Sequence, residues 1–249
     1  MPDVSMRRRT GWLFVIAVVA FLVTSSLLSS TFEWPAILRR DAAEVLTNYH
    51  AGGATLTWTW FAVAWSYCLL IVPVLMLRSV LEPERDAFRY IAIASTLGAV
   101  AVVASLVGFL RWVFVVPGLA EMYFAPGATE ATRQAVVAAY HAQHQFGGTL
   151  LGEHVSQVLS VAWSLTVSIG MLGSRLFSPL LGWFGIAASV AYLLGQGEIL
   201  HTAIASVPEV PLAGPLGSSA WGLWVLLLGV SLIRARAEGT STSAAEQIG

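Results

Sequence analysis

Long apolar runs separated by short polar connections set the pattern of this chain. They cover residues 12–28, 54–77, 90–116, 146–172, 180–200 and 218–233. A helix needs roughly 20 apolar residues to cross the hydrocarbon core of a bilayer. The pattern therefore predicts an all-α polytopic membrane bundle of six transmembrane helices. The last run is short, but Trp221 and Trp224 stand near its start, and tryptophan is common at such interfaces. Arg7, Arg8 and Arg9 precede the first run, as the charged start of a signal peptide does. That run is longer than a usual signal core, so the reading favours a retained span.

The connections separate into two kinds. Residues 78–89 and 173–179 form short links on one side. Residues 29–53, 117–143 and 202–217 form longer ones on the other, and hold Pro117, Pro126, Pro208, Pro211 and Pro215. Proline breaks helices and stiffens loops. Within 117–143, Thr129 is an N-cap candidate for a helix leading into the fourth span. Arg7, Arg8, Arg9, Arg78, Arg85, Arg89, Arg175, Arg234 and Arg236 fall on the side of the short links, against Arg39, Arg40 and Arg133 on the other. By the positive-inside rule, both termini are expected in the cytoplasm. Residues 1–236 read as one transmembrane domain and 237–249 as a disordered cytoplasmic tail. The expected setting is a bacterial inner membrane, crossed several times.

Composition agrees. The chain is 57% hydrophobic and 11% charged, against about 25% charged in a typical soluble domain. A net charge of −1 leaves no basic face for nucleic acid. Lysine is absent. The single cysteine, Cys68, excludes an internal disulfide and any cysteine-based metal motif, and its apolar surroundings point to a buried, inert thiol.

The candidate chemistry lies where ionisable residues interrupt the apolar pattern. Residues 140–170 carry His141, His144, Glu153 and His154. Such groups are costly at membrane depth and need partners or a purpose. His50 and His201 fall on the same side of the topology, as do Arg111 and Glu198, so the ionisable groups gather in the outer half. At 3.6 residues per turn, Tyr140, His144, Gly147, Leu151 and His154 share one helix face. Glu198 and His201, three apart, share another. An arginine fork suits a carboxylate, which favours an ion pair between Arg111 and Glu153. Thr149, Glu153, Ser156, Ser160, Ser164 and Ser168 form a stripe at spacings of three or four. Close helix packing is its favoured reading, ahead of a permeation path.

These groups predict a ligand pocket of Arg111, Glu153, His154, Glu198, His201 and His144, with Trp58, Trp60 and Trp112 as apolar walls. Imidazole and carboxylate together suit zinc, iron or copper, and His144, His154, Glu198 and His201 are the candidate ligands. The Glu-x-x-His at Glu198 and His201 occurs once, whereas dimetal bundles use two copies and two more acids. Haem held by two histidines is a lesser alternative. His50 and His141 read as interfacial residues. No G-x-S-x-G, HExxH or phosphate-cradling loop is present, and no catalytic residue is assigned.

One resemblance adds to this. Arg111 and Trp112 precede a loop bearing Pro117, and Gly152, Glu153 and His154 are followed by Trp163. Over residues 108–234 the chain resembles a family of bacterial six-span membrane proteins defined only as a domain of unknown function. Ser156 stands where that family leads one to expect glycine. The resemblance implies the fold and no activity, and it groups Arg111, Glu153 and His154 as one unit.

Two function classes follow. One is a protein binding a metal or small ligand, with or without catalysis. The other is a non-catalytic membrane protein whose polar cluster serves structure, a homo-oligomer or assembly with a membrane partner. Small-solute transport is a third option, weakened by the absence of repeats.

Overall fold

In a computed structural model, residues 4–210 and 212–235 are described, and the tail expected over 237–249 lies outside them. Six helices are long and apolar enough to cross a membrane: α1 (Val4–Phe32), α2 (Ala42–Glu84), α3 (Ile91–Tyr123), α4 (Glu130–Leu172), α5 (Pro179–His201) and α6 (Ala213–Arg234). No strand occurs among the described residues. The chain is a multi-pass integral membrane protein. Each helix extends past the apolar run that announced it, because the backbone stays hydrogen-bonded into the polar flanks.

Each helix packs on its sequence neighbours, and α1 packs on α6, so the six close into a ring. Short connections make consecutive helices antiparallel neighbours. Arg7 of α1 donates to the Ala235 carbonyl beyond α6, which places the start of α1 and the end of α6 at one end of the bundle. There α1 and α6 cross closely: a side chain on Gly11 would stand 2.6 Å from the Gly229 carbonyl.

Two apolar clusters stack along the bundle axis. The one nearer the chain ends is built on Phe14, Leu77, Trp163, Met171, Trp224 and Leu228. The other lies at the opposite end, around Leu28, Ile37, Tyr49, Trp60, Trp112 and Tyr140. Its centre is a stack of Trp60 on Trp112 at 4.7 Å and 5°. The link between α1 and α2 dips into this cluster as a 3₁₀ turn, Ala36–Arg39, and Ile37 is fully buried. Apolar burial of this kind contributes about 1.5–3 kcal/mol per large side chain. It also fixes the position of the next residues, Leu38 and Arg39.

At Ser164 and Ser168 the serine stripe of α4 is a packing face. Ser164 and Ser168 are fully buried, and Ser164 meets Ser189 of α5 at 2.7 Å. A side chain on Gly185 of α5 would collide with Ser168 and Trp224. Small residues let these backbones approach, which leaves no room for a wet path at Ser164 and Ser168, whereas Glu153 and Ser156 of the same stripe line the interior of the bundle. Thr129 caps the lead into α4, accepting from the Thr132 amide at 3.2 Å. Cys68 is free and half-buried, less enclosed than its apolar run implied.

Candidate functional site

The regular helices break at the end of the bundle away from the chain ends. α3 interrupts at Val115, just before Pro117, which has no amide to donate. α5 interrupts at Gly195, where a side chain would stand 2.8 Å from the Gly214 Cα of α6. Most of all, α4 is a π-helix over His144–Val155. Single π turns are the usual form and concentrate at functional sites; twelve consecutive residues form an unusually long one.

The π segment has a packing cause in its glycines. A side chain on Gly108 of α3 would stand 2.6 Å from the Gly152 Cα. One on Gly148 would stand 2.5 Å from the Arg111 guanidinium. The missing side chains thus let α3 and α4 touch backbone to backbone, with the Arg111 head lying flat against Gly148.

The principal electrostatic contact is a three-residue bridge. Arg39 donates to Glu153 Oε2 at 2.6 Å and to Glu198 Oε1 at 2.9 Å. One guanidinium from the 3₁₀ turn therefore ties α4 to α5. Burial pushes the Arg39 pKa down, but Glu153 and then Glu198 push it up by more, so it stands above its ordinary value. The fork geometry of arginine suits two carboxylates at once.

Arg111 has no such partner. Its residue is 6% exposed. One nitrogen donates to the Gly108 carbonyl, another lies 3.5 Å from His144 Nδ1, and Nε has no partner. It lies over the Trp112 ring at 5.0 Å. The ion pair expected between Arg111 and Glu153 is replaced by the bridge from Arg39. The loop arginine reaches Glu153 because Ile37 anchors the turn beside it.

The structure distributes the remaining predicted residues among separate partners. His154 meets Gln196 at 2.6 Å, and Gln196 donates to Gln157 at 2.6 Å. His201 meets the Val207 carbonyl at 2.9 Å and Glu209 at 3.5 Å, so it turns to its own loop while Glu198 turns to Arg39. His144 stacks on Tyr140 at 5.5 Å. Tyr140 and His144 keep the face they share, and His154 parts from it because the π turn is wider. Among the described residues, no three His, Cys, Asp or Glu side chains group so as to hold a metal ion. The four candidate ligands His144, His154, Glu198 and His201 do not form one site. The unit of Arg111, Glu153 and His154 divides in the same way among His144, Arg39 and Gln196. Trp58 is 69% exposed and faces out of the bundle. Trp60 and Trp112 do line the interior, as expected.

Inside the ring lies a cavity of about 680 Å³. Arg39, Arg111, Glu153 and Glu198 line its polar side, and Phe21, Trp60, Phe109, Trp112 and Trp221 are among its apolar walls. His144, His154 and His201 are not in its lining. Sequence reasoning missed Arg39, Gln157 and Gln196. A signal for Arg39 existed: two acids, Glu153 and Glu198, faced one intramembrane cation, Arg111, so a second cation was required.

The family model described as "Domain of unknown function (DUF4386)" matches residues 9–229, and the chain belongs to that family. No curated protein and no solved structure matches it.

Proposed function

We propose that this DUF4386 member is a membrane protein that binds a small organic ligand in the cavity at the centre of its helix ring. The arginine asymmetry supports an inner-membrane topology with the cavity in the outer half of the bilayer. The observation that carries the reading is Arg111. A buried guanidinium costs several kcal/mol unless charge and hydrogen bonds satisfy it, and this one lines the cavity with Glu153 acting on it only through space. Its hydrogen-bond partners are a carbonyl and an imidazole. A ligand with an acceptor group offsets that cost. The cavity volume lies in the range of ligand pockets, about 300–1,000 Å³. Tryptophan walls with a few polar groups also match the usual composition of such sites.

Native mass spectrometry of protein taken from its own membrane tests this reading. Wild type is expected to carry a small-molecule adduct. Ser105→Phe, which fills part of the cavity, is expected to lose it while eluting as a folded species. Wild type without adduct, or an adduct retained in folded Ser105→Phe protein, overturns the reading. The metal version has less support, since its four candidate ligands are engaged separately.

A further inference from the structure

The cavity is not sealed within the ring. Leu22 of α1 and Leu223 of α6 both line it, and both are about half exposed, at 51% and 49%. Gly222, next to Leu223 in α6, is also in the lining, and an added side chain there would meet nothing within 4 Å. The helices α1 and α6 touch at Gly11 and Gly229. Farther along, Leu22, Gly222 and Leu223 line the cavity within the spanning segments of the two helices. A gap between α1 and α6 at these positions would admit a ligand from the lipid phase.

The polar side of the cavity carries two separated charges. Arg111 is a cation whose hydrogen-bond partners are neutral. Arg39 with Glu153 and Glu198 is an anion overall, because one guanidinium serves two carboxylates. The two centres are adjacent. The Arg111 head lies against Gly148, and Glu153 is five residues on, one π turn along the same segment. Helical turns are on the order of 5 Å in pitch.

Resting on the cavity reading above, we infer that the ligand is a zwitterionic single-chain amphiphile of the phosphoethanolamine type, admitted from the bilayer between α1 and α6. Its phosphate sits at the Arg111 guanidinium, which lines the cavity. Its ammonium sits at the carboxylates that share Arg39. The chain lies along Phe21, Trp221 and Leu226 and leaves through the gap. A purely anionic head matches Arg111 but takes it from the adjacent carboxylates, whose surplus charge then has no cation. A neutral head satisfies neither.

Three probes with one acyl chain separate these contributions: monoacyl phosphoethanolamine, monoacyl phosphate and monoacylglycerol, titrated against protein in a non-ionic detergent. Affinity is expected to fall in that order. Arg111→Met removes the phosphate's advantage over the glycerol, a loss of about tenfold or more. Glu198→Gln removes the advantage of phosphoethanolamine over phosphate. Gly222→Phe slows uptake of monoacyl phosphoethanolamine from vesicles, since its ring occupies the gap. Equal affinities for the three heads overturn the headgroup assignment, as does a ranking untouched by the first two variants. Unchanged uptake in Gly222→Phe overturns the route. Head-independent binding that Ser105→Phe still abolishes leaves the cavity reading standing and removes only this inference; binding insensitive to Ser105→Phe removes both.

Discussion

Arg39 and Glu153 stand 114 positions apart in sequence and meet at 2.6 Å. The arginine belongs to the turn between α1 and α2, and the carboxylate to the π segment of α4. Glu198 completes the bridge from α5. One loop side chain thus closes the end of the ring over the cavity.

Arg39→Gln strands two carboxylates beside an apolar cavity. The pairs are partly exposed, at 33% for Arg39 against 16% and 40% for the acids. Solvent screening therefore reduces the loss below that of a fully buried pair. We expect about 1–3 kcal/mol, seen as a lower Tm. A double-mutant cycle of Arg39→Gln with Glu153→Gln should show coupling of about 0.5–3 kcal/mol. The matching cycle for Arg111→Met with Glu153→Gln should show less, since no hydrogen bond joins that pair.

The pH behaviour follows from the raised Arg39 pKa. A cation whose pKa is raised on folding contributes fully below its unfolded value and loses that contribution only as pH rises past the folded one. Both values lie far above neutrality. The Tm difference between wild type and Arg39→Gln should therefore stay constant from about pH 7 to about pH 9. A difference that shrinks over that window would show that another group titrates in the bridge.

Gly108→Ala and Gly222→Ala should differ sharply. The first forces a methyl against the Gly152 backbone at 2.6 Å, where no flexible side chain can yield. About 1–3 kcal/mol of destabilisation is expected, in line with overpacked cores. The second meets open space and should remain within about 0.5 kcal/mol of wild type. Thermal unfolding in detergent measures both.

His154→Ala should act through Gln196. The histidine holds one end of the glutamine and Gln157 the other. Removing the ring leaves a buried amide short of a partner, a loss of about 1–3 kcal/mol. Because His154 is absent from the cavity lining, the ligand adduct expected in native mass spectra should persist in the variant. Loss of the adduct with an unchanged Tm would place His154 at the ligand instead.

The periodicity of apolar residues was enough to determine the six spans, their order and the helical lead into α4. Those follow from local physics: bilayer thickness sets the run length, and backbone hydrogen bonds must be met within each segment. The gathering of Arg111, Glu153 and Glu198 on one side was legible for the same reason. Partner choice was not. Glu153 chose Arg39 over Arg111 because Ile37 sinks a loop turn into the Trp60 and Trp112 cluster, a contact without local sequence signature. His144 and His154 parted because α4 winds as a π-helix, and residue faces read at 3.6 per turn do not survive that change. Only the closed ring, with α1 against α6, created the cavity and its gap, since both depend on helices from opposite ends of the chain.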